Sequence, residues 1–128
     1  MSWTNEIGRI GEDMVADFLK ARGYIIFKRN FRSKYGEIDI VAENPQTVIF
    51  VEVKTREQGS LVDPAFAVDK FKQDKIIKTA KRFLHLAHYT GEYRFDVAEV
   101  FYNRDQSGQL KFSLNYIKNA FEGNLLND

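Results

Sequence analysis

Between Asn5 and Arg22 the apolar residues Ile7, Ile10, Met14, Val15, Phe18 and Leu19 recur at helical spacing and Gly23 follows as a stop, which predicts a first amphipathic helix. The pattern then changes. The stretch YIIFKRNF at 24–31 is rich in β-branched and aromatic residues and predicts a strand. Two more strands are expected at about 36–43 and 47–55, turning at Pro45 and Gln46. The segment from Glu57 to Pro64 is rich in turn residues and is expected to be the most mobile element. Helical spacing returns from Asp69 to His88, with Ile76, Ile77, Ala80, Phe83, Leu84 and Ala87 as the buried stripe and Asp69 as N-cap. After Thr90 and Gly91, YRFDVAEVFY predicts a strand, Asp-Gln-Ser-Gly at 105–108 a turn, and the residues from Leu110 to Ile117 a last strand. The tail from Lys118, and residues 119–128 above all, is expected to hold one helical turn at most and to fray. The order αβββαββ, with a helical crossover after a meander, packs most economically as an α/β fold: a mixed sheet with a helix on each side.

With 128 residues, 44% of them hydrophobic, the chain can bury one real core, so residues 1–128 are expected to form a single domain. Cysteine is absent, which removes disulfides and thiolate metal sites and makes a reducing compartment the natural assumption. Glu6, Glu12 and Asp13 interrupt the first twenty residues, a pattern of neither a signal peptide nor a membrane span. A soluble, cytoplasmic protein with no membrane partner is therefore expected.

The net charge of +1 conceals an uneven distribution. Between Asp17 and Glu37 every charged residue is basic: Lys20, Arg22, Lys28, Arg29, Arg32 and Lys34. A second run, Lys70, Lys72, Lys75, Lys78, Lys81 and Arg82, is interrupted only by Asp74. Either run alone is an ordinary solvated face. If the two meet, they form a positive surface suited to a polyanion, with Arg29, Arg32, Lys34, Arg56, Lys70, Lys75 and Lys78 as candidate nucleic-acid contacts.

Strand parity concentrates the chemistry in GEIDIVAENPQTVIFVEVK. Glu52 and Lys54 share one face of their strand while Val51 and Val53 take the other; on the preceding strand Glu37, Asp39 and Val41 share a face opposite to Ile38, Ile40 and Ala42. A hairpin turning at Pro45 and Gln46 sets Asp39 opposite Glu52, with Cβ atoms about 4.5–5.5 Å apart. Two carboxylates that close repel each other unless one is protonated or a cation sits between them. Mg²⁺ suits such a site, since it takes a few carboxylate oxygens and completes its shell with water and phosphate. Lys54 can then hold and polarise a water or neutralise charge developing at phosphorus. A buried salt bridge of Lys54 with one carboxylate is the structural alternative, but it leaves the second carboxylate unpartnered.

Other candidates are weaker. Glu12 lies at the edge of the first helix's apolar stripe, as a third carboxylate of the site or as an acid favoured by the helix dipole. Lys72 and Gln73 stand four residues before Ile76 and Ile77, where a polar pair either caps the core edge or reaches a bound phosphate. His85 and His88 have no carboxylate or third histidine in register and are read as surface or core-edge residues. A Gly-rich phosphate loop and a Gly-x-Ser-x-Gly elbow are both absent, so nucleotide hydrolysis and serine-type acyl transfer are unsupported.

The blocks GRIGEDMVADFLKARGY, RNFRSKYGEIDIVAE, FVEVKTR, AVDKFKQDKI, RFDVAEV and YIKNAF, in that order, resemble the bacterial YraN-type family of uncharacterised proteins along nearly the whole chain. That family looks like a compact member of the PD-(D/E)xK nuclease superfamily, with a restriction-endonuclease-like fold similar to Holliday-junction resolvases. The resemblance implies Asp39 and Glu52 as metal ligands with the Val53 carbonyl as a third. It implies Lys54 as the water-positioning base or electrostatic stabiliser, Glu12 as the helix carboxylate, and Lys72 and Gln73 as accessory contacts. The motif's leading Pro-Asp is Ile38-Asp39 here.

Together these features lead to the expectation of a Mg²⁺- or Mn²⁺-dependent endonuclease that hydrolyses DNA phosphodiesters, including branched recombination or repair intermediates. The alternative is a nuclease-fold DNA-binding or scaffold protein that does not cut. Cutting both strands of a duplex or junction would require a homodimer.

Overall fold

The computed structural model describes residues 3–59 and 69–123. Seven elements follow in the expected order: α1 (Trp3–Ala21), β1 (Ile25–Ser33), β2 (Gly36–Glu43), β3 (Thr47–Glu57), α2 (Lys70–Leu86), β4 (Glu92–Arg104) and β5 (Leu110–Phe121). The five strands form one mixed sheet in the order β1-β2-β3-β4-β5. All neighbours are antiparallel except β3 and β4, which run parallel as a helical crossover requires.

Each face of the sheet carries its own core. On one, Val48 and Phe50 of β3 and Phe95 and Val97 of β4 meet Ile76, Ala80, Phe83 and Leu84 of α2. On the other, Ile49 and Val51 of β3 and Ala98 and Val100 of β4 meet Val15, Ala16 and Leu19 of α1. Parity along β3 thus assigns even positions to α2 and odd ones to α1. Glu52 and Lys54 continue the α2 row.

Local chemistry sets the element ends. Gly23 leaves α1 at φ 88°, and its N–H donates to the Lys20 carbonyl. Asp69 caps α2 as anticipated, its carboxylate accepting from the Lys72 N–H at 2.8 Å. The Asn44 side chain closes the β2–β3 hairpin by accepting from the N–H groups of Gln46 and Thr47. Asp105 closes the next one through the N–H groups of Ser107 and Gln109.

The expected pattern fails at identifiable places. Ile10 is exposed rather than part of the α1 stripe, and Ala87 is exposed where it caps α2. The last strand runs on to Phe121 instead of stopping at Ile117, so the tail begins as strand rather than as a helical turn. Its continuation passes through Asn119 at φ 55°, opposite a register shift in β4 between Phe95 and Val97. Residues 60–64 of the loop expected to be mobile, and residues 124–128 of the tail, lie outside the described residues.

Asp96 occupies that shift, 1% exposed. Arg94 grips it bidentately at 2.8 and 2.9 Å, the Tyr116 hydroxyl donates to it, and the Asn119 N–H donates at 2.8 Å. Four donors surround one buried carboxylate, and burial beside that anion pushes the Tyr116 hydroxyl well above the usual tyrosine range. Replacing Asp96 by Ala leaves the half-buried guanidinium without its partner. Urea unfolding of Asp96→Ala should show a loss of about 3–5 kcal/mol relative to wild type.

Candidate active site

Ladder pairing between β2 and β3 ends at Ile40 opposite Val51. Continuing the same register brings Asp39 to Glu52, and there the two carboxyl groups contact each other through a side-chain hydrogen bond. The cross-strand juxtaposition expected from parity is present.

Its mechanical origin is a coordinated reversal of two strands. Opposite Asp39 on β1 stands Asn30 at φ 55°, a left-handed conformation that asparagine tolerates better than most residues. Arg29 pairs with Ile40 on the α1 side of this point, whereas Phe31 pairs with Ile38 on the α2 side. Unbroken alternation would have put Ile38 with Ile40 and Ala42. Instead Ile38 joins the α2 core with Val41, and the turnover falls at Asp39. Beyond the end of the ladder, the Val53 N–H donates to the Asp39 carboxylate at 2.7 Å. On an extended strand the carbonyl of a residue points to the same edge as its N–H, so the Val53 carbonyl also faces the opening between β2 and β3.

Burial and proximity together perturb the pair. Removal from water raises the Asp39 carboxyl above its ordinary range, opposed by the Val53 N–H and reinforced by Glu12 and Glu37. Glu52 is pushed up to about 8, first by burial and then by Asp39, with Lys54 and Lys72 pulling the other way. Both groups therefore hold a proton more tightly than a free carboxyl group does. Lys54 is lowered, mainly by burial, with Glu52 opposing and Lys72 adding to the effect. Two carboxyl groups and two ammonium groups, from β2, β3 and the first turn of α2, therefore converge at the splayed strands.

The remaining candidates fall around this centre. Glu12 and Asp39 line one cavity of about 1,020 Å³ together with Arg9, Arg29, Val53 and Thr55. Gly11 lets α1 approach this closely, because a Cβ there would collide with the Thr55 side chain. Glu12 is already held by Arg29 through Nε and Nη2 at 3.1 and 3.0 Å, and Arg29 also reaches Asp13 at 2.8 Å. Arg29 thus braces α1 against β1, and its charge is spent within the protein. Glu12 stands behind Asp39 on the helix side, and among the described residues no three acidic or imidazole side chains form one cluster. Gln73 lies in the first turn of α2 one residue after Lys72, its N–H on the Asp69 carbonyl.

The two basic runs do meet. Lys34 of the β1–β2 turn and Lys78 of α2 flank the ring of Tyr35, each 5.3 Å from its centroid. Lys75 covers Phe71 at 4.5 Å. Arg32 pairs with Glu37 at 3.0 Å and Lys70 with Asp74 at 3.3 Å, both in exposed positions. Arg56 follows Lys54 by two on β3, in the same row. His85 and His88 are exposed, as expected.

Glu99, outside the expected site residues, is buried on β4 directly beside Lys54 in the parallel register and accepts from Asn115 at 3.0 Å. Asp96 was not among the expected residues either. Both sit in RFDVAEV, where an acid inside an apolar strand was the available signal.

The model of the uncharacterised protein family UPF0102 matches residues 11–100. A UPF0102 protein of Clostridium botulinum strain 657 is 44% identical over 119 residues, covering 91% of this chain and 94% of its own. One from Clostridium perfringens strain ATCC 13124 is 42% identical over 120 residues, covering 93% and 96%. The chain belongs to the UPF0102 family. This is the YraN-type family that the sequence blocks resemble. Among solved structures, Pyrococcus furiosus SfsA in complex with Ca²⁺ is 14% identical with a TM-score of 0.44, and the match spans 85% of this chain and 62% of that one. In this UPF0102 protein Glu12, Asp39, Glu52, Lys54 and Lys72 all lie inside the matched stretch.

Because Glu52 holds its proton more tightly folded than unfolded, its contribution to stability is complete below about pH 4.5 and is lost as pH rises through about 8. Asp39, raised in the same direction, adds to the trend. Thermal unfolding in chelator should show the midpoint falling across this window, and Glu52→Gln, which cannot ionise, should flatten the fall.

Proposed function

We propose that the protein is a divalent-metal-dependent deoxyribonuclease whose centre is the Asp39–Glu52 pair. The observation that carries this reading is the half-buried pair of carboxyl groups in side-chain contact, with Lys54 and Lys72 against it. A fold gains nothing in stability from forcing two acids together at a strand opening. The donor set fits a hard cation: two carboxylates and the Val53 carbonyl supply oxygens, and open space beside Asp39 leaves room for water and phosphate. When bound, the ion supplies charge neutralisation at the phosphate and acidifies water. Mg²⁺ and Mn²⁺ both suit this set.

The chain's own groups do the rest. Lys54 shares a face with Glu52 and orients the attacking water, and burial weakens its hold on its own proton. Lys72 offsets the charge that builds on the non-bridging oxygens. Glu12, clamped by Arg29 and Asn30, fixes α1 beside Asp39 and adds negative potential there. Gln73 is placed to contact phosphate or water at the start of α2. The basic row of α2 and the β1–β2 turn give DNA its approach, with Lys34, Lys75 and Lys78 on the surface and Arg32, Lys70 and Arg56 at its margins. No helix among the described residues is long and apolar enough to cross a membrane. We place the protein in the cytoplasm with DNA as its partner, acting on branched repair or recombination intermediates. A homodimer would be needed wherever both strands are cut.

Labelled junction, flap, duplex and single-stranded DNAs incubated with Mg²⁺ or Mn²⁺ test this directly. Asp39→Ala, Glu52→Ala and Lys54→Ala should each lower cleavage by about 10²-fold or more while the fold is retained. Full activity in highly purified Asp39→Ala would overturn the reading. Calorimetric titration of Mg²⁺ should give saturable binding that releases a proton near neutral pH and is lost in Glu52→Ala. DNA binding that ignores Mg²⁺ throughout would support a non-cutting DNA-binding protein on the same fold.

A further inference from the structure

Away from the carboxylate pair, the β1–β2 turn lies across the middle of α2. The Ser33 hydroxyl is 2.8 Å from that of the buried Thr79, and a Cβ at Gly36 would touch Lys75 at 3.7 Å. This contact holds up Tyr35, 41% exposed, between the ammonium groups of Lys34 and Lys78. Beside the ring a cavity of about 660 Å³ opens, with Phe31, Tyr35 and Leu86 as apolar walls and Arg32, Lys34 and Arg82 around them. Its size lies within the range of about 300–1,000 Å³ typical of small-ligand sites. Leu86 is 53% exposed, an apolar residue left open in a strongly basic neighbourhood. Solvated lysines alone do not need an aromatic platform or an apolar wall.

The cavity and the site lie along the same helix. Phe71, Lys75, Lys78 and Arg82 recur at spacings of four and three and share the outer face of α2. Lys72, which faces Glu52 and Lys54, opens the same helix. Ten residues separate Lys72 from Arg82, about 15 Å at 1.5 Å per residue, or roughly four stacked nucleotides at about 3.4 Å each.

We propose that this cavity receives an unpaired nucleotide of the bound DNA, its base stacked on Tyr35 and its phosphate on Lys34 and Arg82. The substrate of the Asp39–Glu52 centre therefore carries a single-stranded segment within a few nucleotides of the scissile bond. The second statement rests on the nuclease reading; the first does not. A paired base exposes only its edges in a duplex groove, whereas an unpaired base offers its face to a ring. The paired cations beside the ring suit the backbone of the same strand.

Fluorescence anisotropy in chelator, at fixed salt, with a labelled single strand, a blunt duplex and a duplex bearing a single-stranded flap separates the possibilities. Tyr35→Ala should weaken single-strand and flap binding by about tenfold and blunt-duplex binding by less than about twofold. Tyr35→Phe should bind like wild type, because the ring face and not the hydroxyl makes the contact. An equal loss on all three DNAs, or no loss on any, overturns the proposal. Because no divalent ion is present, the two readings fail separately. A Tyr35-dependent flap preference in a protein that never cuts removes only the nuclease, and Asp39-dependent cleavage without that preference removes only the nucleotide cavity.

Discussion

Two carboxyl groups are held in contact inside a sheet, and the rest of the structure is arranged to make that possible. Asp39 and Glu52 meet one step beyond Ile40 and Val51, where β2 and β3 stop pairing. The gap would leave the Val53 N–H without a strand partner, and the Asp39 carboxylate accepts it instead. The parallel β3–β4 pair, closed by the α2 crossover, delivers Lys72 to the same place as Lys54. Lys54 loses some affinity for its proton there, mainly through burial, which is the electrostatic counterpart of the raised acids opposite it.

Much of this was legible in the chain. Two helical periods and five β-rich segments are local signals, and burial on both faces of a mixed sheet follows from their order. The pairing of Asp39 with Glu52 was legible too, because hairpin register counts outward from a turn whose residues, Asn44 to Thr47, announce themselves. What parity could not supply was the reversal at Asn30 and Asp39. Alternation assumes an unbroken strand, and one left-handed residue on β1 swaps the faces for both partners. Asn119 repeats the lesson: Lys118-Asn119 reads as a strand end, yet its left-handed backbone carries β5 through to Phe121. Charge runs posed a different limit. That Lys34 and Lys78 would flank one tyrosine depends on a turn lying on a helix, a contact between residues 33 and 79 that no local pattern encodes.

Comparison of Asp39 with Asp96 explains why one acid marks a site and the other does not. Both sit where strand regularity breaks opposite an asparagine at φ 55°, and both capture a backbone N–H of a neighbouring strand. Asp96 is then closed off by a bidentate guanidinium, a tyrosine hydroxyl and its N–H donor, so its charge is matched within the fold. Asp39 receives one N–H, and its next neighbour is another acid. The same backbone device therefore yields a completed ion pair in one place and, in the other, two carboxyl groups in contact beside open space. Folding energetics account for the first arrangement without further help, since every lone pair of Asp96 has a donor. They do not account for the second, where burial and proximity set two carboxyl groups against ionisation. An arrangement that is costly alone, and that a cation would relieve under the proposed function, is what a functional site looks like when strain is stored for a ligand.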